Sequence, residues 1–219
     1  MKIIKPSYKI MSEISEGGIK ELQLIERIGR VCYKSEDKII EDGESAKKFV
    51  KMLIDKHHEA MIEHSLLSVK FTVDRGVSHE LVRHRIASFA QESTRYCNYS
   101  QDKFGNELTF IVPYFFLESC ADCDKYTEWI ESMQEAEKTY LDLLALGATP
   151  QEARSVLPNS LKTEITITAN YREWRNIFKL RTANAAHPQM REIMRPLLNE
   201  LKTKLPIIFD DITYEEDNA

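Results

Sequence analysis

Residues 163–176, TEITITANYREWRN, pass from the period of a β-strand to that of a helix. Ile165 and Ile167 alternate with threonines, which is typical of a half-buried strand. Asn170 is a favourable N-cap residue, and Glu173 follows three positions later, as in many helix starts. We therefore predict a strand that ends in a capped helix. The polar residues on or near this helix are Arg172, Asn176 and Arg181.

A second strand-to-helix passage lies upstream. Residues 65–73 alternate in the same way, and a short helix is predicted to carry Glu80 toward Arg83. Apolar spacing and capping residues predict further helices at residues 19–32, at 46–53 behind a Ser45 cap, at 125–146, after a capping box at 149–152, and at 190–201, where Pro196 predicts a kink or a boundary. Strands are also predicted at residues 2–11 and 108–114.

These elements predict an α+β fold, that is, a mixed α/β fold with an antiparallel-rich central sheet flanked by helices. No regular βαβ repeat is present, and no GxGxxG motif follows a strand, so a dinucleotide-binding domain of the Rossmann type is not supported. At 219 residues with 42% hydrophobic residues, the chain reads as one globular domain, residues 1–219, with or without an insertion. The acidic tail, about residues 213–219, is expected to be flexible.

Charge and hydropathy exclude several classes of protein. The formal net charge is −5, whereas a general nucleic-acid binder is usually basic over a whole face. No apolar run has the length of a membrane span, and the N-terminus lacks the pattern of a signal peptide. Four cysteines are too few for a disulfide framework. We therefore expect a cytoplasmic protein without a nucleic-acid or membrane partner.

Residues 80–96 concentrate arginine among apolar residues. A half-buried guanidinium cluster is costly unless anions neutralise it, and the two-pronged guanidinium group matches phosphate oxygens. The segment, together with Arg154, therefore predicts a site for a phosphate-bearing ligand. An ordinary basic helix end remains an alternative at this point.

Three other groups suggest chemistry less specifically. His58 and His64 invite a zinc-hydrolase interpretation, but their spacing is six rather than four residues. Cys97 lies near the arginines, where positive charge would lower its pKa, but no base is paired with it in sequence, and a buried structural cysteine is the favoured alternative. Cys120 and Cys123 form one CxxC pair without the second pair that a zinc ribbon needs.

The chain closely resembles the flavin-dependent thymidylate synthases. The resemblance rests on Arg83, His84 and Arg85, followed by seven residues of any type and then Ser93. It extends over about residues 19–205 through an upstream histidine and glutamate block and an ordered set in the second half. The positions in that set are Arg154, Val156, Leu157, Pro158, Asn170, Arg172, Asn176, Leu180, Arg181 and His187. A non-catalytic nucleotide-binding or RNA-binding protein that uses the same arginines is the alternative from another class.

The resemblance implies the activity, the ligands and the assembly. It implies reductive methylation of dUMP to dTMP, with 5,10-methylenetetrahydrofolate as one-carbon donor and NADPH as hydride source through FAD. It also implies a homotetramer with shared active sites and a variable helical region at about residues 98–138. The residues it assigns to FAD are Glu63, Arg83, His84, Arg85, Gln91, Asn170, Arg172, Asn176 and His187. Those it assigns to dUMP are Glu80, Arg83, Gln91, Glu92, Ser93, Thr94, Arg95, Arg154 and Arg181.

Catalysis is assigned by the same resemblance to Arg181, Ser93 and His58. Arg181 would stabilise an ionised uracil and so dispense with a cysteine nucleophile. His58 would lie near flavin and folate. The sequence departs from the family at Cys32 and Ala60, where hydroxyl residues are common, and at Ala90 and Thr94 inside the signature region, so short contacts at these positions are not expected to be kept.

Overall fold

The computed structural model describes residues 1–119 and 124–215 and has the mixed α/β fold with an antiparallel sheet that the sequence predicts. The strands are β1 Lys2–Ile4, β2 Ser7–Ile10, β3 Leu66–Asp74, β4 Ala87–Gln91, β5 Thr109–Ile111 and β6 Lys162–Asn170. The helices are α1 Ile19–Arg30, α2 Glu44–Asp55, α3 Arg75–Leu81, α4 Tyr114–Ser119, α5 Asp124–Ala145, α6 Pro150–Ala153, α7 Tyr171–Arg181, α8 Pro188–Lys204 and α9 Pro206–Phe209. A 3₁₀ helix spans Glu59–His64.

Four strands form one sheet in the order β2-β3-β6-β4, and β1 pairs in parallel with β5. The chain divides into two compact units. Unit 1 comprises Met1–Tyr8, Lys70–Arg83 and Phe89–Thr166. Unit 2 comprises Lys9–Val69, His84–Ser88 and Ile167–Ala219. In the part of the chain that the structure describes, no helix has both the length and the apolar composition needed to cross a membrane.

Unit 1 has a core of aromatic and aliphatic side chains around α5. Tyr140 is fully buried on this helix and lies 5.9 Å, ring to ring, from Tyr99. Phe110 on β5 is fully buried in the same cluster, and Cys97 packs against it. The apolar stripe predicted for residues 125–146 therefore faces a core, as expected for an amphipathic helix.

Unit 2 is built around α7. Trp174 is fully buried and donates its indole N–H to the Leu67 carbonyl on β3 at 2.9 Å. Phe178, one turn further on, meets Phe209 edge-to-face at 5.6 Å. Helix α1 approaches α2 closely at Gly29, where a Cβ atom would lie only 2.6 Å from the Phe49 ring. These contacts bury α7 on one side and fix the position of its N-terminus.

The predicted strands and helices are present, but details differ at Ser45 and in residues 2–11, and helix α9 was not predicted. Ser45 is inside α2 and does not cap it, because Gly43 takes the cap position and the Ser45 hydroxyl donates to Glu26 at 2.8 Å. Helix α8 continues through Pro196, which excludes the boundary, and a kink at this proline stays a prediction. Residues 2–11 form two strands instead of one, and β4 was not predicted at all. Cys120 and Cys123 lie outside the described residues, as does the end of the acidic tail.

Candidate functional site

The junction between β6 and α7 positions the first group of candidate residues. Asn170 ends the strand, and its side-chain oxygen accepts the backbone N–H of Glu173 at 2.8 Å, which confirms the predicted cap. An N-cap of this kind stabilises the helix start by about 1 kcal/mol. Arg172, Glu173 and Asn176 are thereby fixed on the first turns of α7.

A cavity of about 480 Å³ lies beside this helix start, entirely within unit 2. Its volume falls in the range of about 300–1,000 Å³ that is usual for small-molecule sites. The lining residues are Glu59, Glu63, Ile86, Asn170, Arg172, Glu173, Asn176 and Lys179. Four residues that the resemblance assigns to FAD therefore meet in one place: Glu63, Asn170, Arg172 and Asn176.

The chemistry of the lining suits part of a dinucleotide. Carboxylates such as Glu63 accept hydrogen bonds from ribose hydroxyls, and the amides of Asn170 and Asn176 can donate to and accept from a heterocycle edge. The cations of Arg172 and Lys179 suit phosphate oxygens. The residues present therefore fit FAD, with Glu63, Asn170, Arg172 and Asn176 as the groups that would hold it.

His84, Glu173 and Arg181 form a contiguous group on one side of α7. The Arg181 Nε–H donates to His84 Nε2 at 3.0 Å, and His84 Nδ1 lies 3.4 Å from Glu173 Oε1. His84 is 6% exposed, and burial together with the Arg181 charge lowers the pKa of its imidazole to about 4. Burial also raises the pKa of Glu173. At neutral pH His84 is therefore uncharged, and its contact with Glu173 is not an ion pair.

A second cavity of unit 2, about 460 Å³, contains Cys32 and Ala60, two of the positions where the sequence departs from the family that it resembles. It is lined by Gly29, Cys32, Tyr33, Phe49, Met52, Leu53, Lys56, His58, Ala60 and Met61. Cys32, Ala60 and the proposed catalytic His58 thus share one largely apolar cavity, whereas Glu59 and Glu63 of the adjoining 3₁₀ helix line the first one.

The residues assigned to dUMP lie mostly in unit 1, after β4. The Gln91 amide donates to Ser78 at 2.9 Å and to Thr163 at 3.3 Å. Glu92 accepts from the Tyr99 hydroxyl at 3.0 Å and from Lys162 at 2.9 Å. Both side chains are therefore engaged in holding this end of the strand in place.

The next residues turn toward Arg154. The Ser93 carbonyl accepts the backbone N–H of Cys97 at 2.9 Å, which forms a turn. Arg154 approaches the Thr94 hydroxyl at 3.5 Å, and the Arg95 guanidinium lies 5.4 Å from the centre of the Tyr96 ring. The structure thus brings together Thr94 and Arg154, two of the residues that the resemblance assigns to dUMP.

Four further predicted site residues, Glu80, Arg83, Arg85 and His187, take no part in the side-chain contacts described above. Arg83 belongs to unit 1 and Arg85 to unit 2, and both side chains are exposed. Glu80 is half-buried on α3, in unit 1. His187 is exposed at the cap position of α8 and is not among the lining residues of either described cavity.

Two alternatives from the sequence analysis, a Cys97 nucleophile and a zinc hydrolase, gain no support from the described residues. Cys97 packs against the apolar core of unit 1, as a structural cysteine does. Within residues 1–119 and 124–215, no group of three or more His, Cys, Asp or Glu side chains is arranged to hold a metal ion.

Sequence reasoning missed Glu173, Ile86 and Lys179 as residues of the site. Glu173 was interpreted only as part of a helix cap, although it faces both the cavity and His84. The available signal was its spacing, because Glu173 lies three residues from both Asn170 and Asn176 and so shares their helix face.

The chain is similar to known proteins over most of its length. A family model described as thymidylate synthase complementing protein, Thy1, matches residues 19–207. A protein of Corynebacterium aurimucosum named flavin-dependent thymidylate synthase is 31% identical over 212 residues, which cover 91% of this chain and 83% of the relative. One of the same name from Mycobacterium avium is 31% identical, covering 86% and 78%.

Among solved structures, the UMP/dUMP methylase PolB from Streptomyces cacaoi, bound with 5-Br dUMP, superposes with a TM-score of 0.76. It is 20% identical, and the match covers 96% of each chain. This likeness shows that the fold is shared.

Proposed function

Because the chain belongs to the family of flavin-dependent thymidylate synthases, we propose that it converts dUMP to dTMP with FAD as its cofactor. The one-carbon donor is 5,10-methylenetetrahydrofolate, and NADPH is the source of hydride. The chemistry that bound FAD supplies is transfer of the hydride that originates in NADPH. The observation that carries the proposal is the meeting of Glu63, Asn170, Arg172 and Asn176 in one cavity.

The chain's own residues divide into two tasks. Glu63, Asn170, Arg172 and Asn176 hold the cofactor, and the segment from Gln91 to Arg95 holds dUMP. Arg95 and Arg154 bind the phosphate, since each guanidinium can donate two parallel hydrogen bonds. Ser93, within the same segment, binds the nucleotide beside the reacting ring. Gln91 and Glu92 keep the segment in place through their contacts within unit 1.

Arg181 supplies the activation that a cysteine would otherwise provide. Its charge, facing the uracil N3 and O2 side, stabilises an ionised pyrimidine. Ionisation raises electron density at C5, which then attacks the one-carbon unit. His58, in the second cavity, orders substrate near the flavin and folate. The location of Cys97 against the core of unit 1 agrees with a route that needs no thiol.

The oligomeric state and the cellular location are proposed from the same family. We propose a homotetramer with shared active sites, acting in the cytoplasm without a nucleic-acid or membrane partner. We propose that the chain, residues 1–219, acts as a single catalytic domain. We assign Arg83, Arg85 and His187, whose side chains are exposed, to contacts with FAD in such a shared site.

The proposal is tested by product analysis. Purified protein is incubated with FAD, dUMP, methylenetetrahydrofolate and NADPH, and dTMP is quantified by chromatography, with each component omitted in turn. We expect dTMP only in the complete mixture. If a folded, FAD-loaded protein forms no dTMP in the complete mixture, the proposal is wrong.

A matched pair of variants tests the phosphate contact. Arg154→Leu should raise the KM for dUMP by about tenfold or more, because it removes a charged hydrogen-bond donor. Arg27→Leu, which alters an exposed arginine on α1 paired with Glu41, should leave that KM unchanged. An unchanged KM in Arg154→Leu would remove Arg154 from the nucleotide site.

A further inference from the structure

The signature histidine, His84, has protein partners at both ring nitrogens. Nε2 receives the Arg181 Nε–H at 3.0 Å, and Nδ1 lies 3.4 Å from the Glu173 carboxylate. The side chain of His84 is 5% exposed and that of Glu173 is 9% exposed, so both contacts are shielded from water. The polar edges of this ring are therefore used inside the protein.

The protonation state of the ring follows from its partners. An arginine guanidinium stays protonated and can only donate, so His84 Nε2 must be the unprotonated acceptor. The proton of the neutral imidazole is then on Nδ1, on the side of Glu173 Oε1. A carboxylate in that position favours this tautomer, as it does for many oriented histidines.

Glu173 is itself held in place. It belongs to the first turn of α7, and the Asn176 amide lies 3.4 Å from each of its carboxylate oxygens. Arg181 ends the same helix. Glu173 and Arg181 are eight positions apart, which places them on one face of α7, and His84 bridges them from outside the helix.

We propose that His84 is a positioning residue: in its Nδ1–H tautomer, oriented by Glu173, it fixes the Arg181 guanidinium in the direction needed at the uracil ring. This inference rests on the proposed function, because it gives Arg181 its role at the pyrimidine. The hydrogen bond from the Arg181 Nε–H to His84 restricts rotation of the guanidinium about the Cδ–Nε bond. Misplacement of a reacting group by about 1 Å costs about 100-fold in rate, so this restraint has a catalytic consequence.

The tautomer is tested first, without any assay of activity. Protein labelled with ¹⁵N-histidine is examined by NMR, and the His84 signals are identified by their loss in His84→Gln. We expect a protonated Nδ1 and an unprotonated Nε2 near neutral pH. A protonated Nε2, in either the other tautomer or the imidazolium, would overturn the proposal even if the enzyme makes dTMP.

The positioning role is tested second, by kinetics and binding. His84→Phe should lower kcat by about 100-fold and change the FAD dissociation constant by less than about threefold, well under the worth of one hydrogen bond. His84→Gln, whose amide oxygen can still accept from Arg181, should recover most of the lost kcat. The exposed His79→Gln on α3 is the control and should match the wild type.

The outcomes are distinct. Loss of FAD binding in parallel with kcat, without recovery in His84→Gln, would show that His84 acts on the cofactor and would overturn the proposal. If the wild type makes no dTMP while the NMR result is as expected, the proposed function fails and the arrangement of His84 and Arg181 stands.

Discussion

The Arg172 guanidinium donates to the Glu63 carboxylate at 2.5 Å within the lining of the first cavity. The two side chains are 53% and 43% exposed. An ion pair with this exposure contributes at most about 1 kcal/mol to folding. Its position beside the cavity therefore bears on ligand binding more than on stability.

Glu63→Gln should weaken FAD binding by about tenfold or more, because a charged acceptor for ribose hydroxyls is lost and Arg172 loses its partner. The thermal midpoint should fall by less than about 4 °C. Fluorescence titration of FAD and a thermal melt measure the two effects. Glu44→Gln, in the exposed pair with Lys47 on α2, is the matched control and should change neither property. Unchanged FAD affinity in Glu63→Gln would contradict the assignment.

Arg175 ties three parts of unit 2 together. It is 1% exposed, donates to Asp211 at 2.6 Å and to Glu59 at 3.1 Å, and also donates to the Ile208 carbonyl. The pKa of Arg175 is raised by these acids in spite of its burial. Glu63 lies on the 3₁₀ helix Glu59–His64, and Arg175 anchors this helix to the segment that follows α9.

Arg175→Met should reduce the free energy of unfolding by about 2–3 kcal/mol, because it removes the charged donor to Glu59, to the Ile208 carbonyl and to Asp211, whose side chain is 47% exposed. Denaturant titration followed by circular dichroism measures this change. Arg27→Met, which breaks an exposed pair with Glu41, should cost less than about 1 kcal/mol and serves as the control. Equal midpoints for the two variants would refute the anchoring role.

His84 makes stability depend on pH. Burial and Arg181 lower its pKa to about 4 in the folded protein, from 6.5 in the unfolded chain. Between pH 4 and pH 6.5 the unfolded state binds more protons at this position than the folded state does. The stability that neutral His84 contributes is therefore complete above pH 6.5 and is lost as the pH falls toward 4. The raised pKa of Glu173 changes stability with pH in the opposite direction. This effect is common to the wild type and to variants at His84.

His84→Gln should therefore flatten the acid dependence of stability. From about pH 7.5 to about pH 5, the wild type should lose about 2 kcal/mol more than the variant. Denaturant titrations of both proteins at the two pH values provide the measurement, and the exposed His79→Gln should follow the wild type. Parallel curves for wild type and His84→Gln would be inconsistent with a buried, neutral His84.

Cys97→Ala should leave kcat within about threefold of the wild type and cost about 1 kcal/mol of stability, because the side chain packs against the core of unit 1. Steady-state kinetics and a thermal melt measure both. Complete inactivation of a folded Cys97→Ala protein would restore the nucleophile interpretation.

The parts of the fold that follow from local sequence were predictable. The alternation and cap at residues 163–173 identify β6 and the start of α7, and the observed Asn170 cap confirms them. Strand β4 was missed because its residues lie within the arginine-rich segment, where charge and turn chemistry obscured a short alternation.

The site was predictable in composition but not in its internal contacts. Arg172 and Asn176 are four positions apart and share one face of α7, and Asn170 caps its N-terminus, so their meeting at the helix start follows from the local sequence. The contact between His84 and Arg181 joins residues 97 positions apart and depends on tertiary packing, which no local pattern encodes. The role of Glu173 was missed for the same reason, since its partner His84 comes from a distant segment. The assignments to Arg83, Arg85 and His187 stay predictions.

The binding of flavin and its response to nucleotide test the central claim most directly. FAD is titrated into purified protein, the bound flavin spectrum is recorded, and dUMP is then added. We expect stoichiometric FAD binding and a change in the flavin absorption band that saturates with dUMP, both weakened in Asn176→Leu. A folded protein that binds no FAD, or whose bound flavin is indifferent to dUMP, would contradict the account.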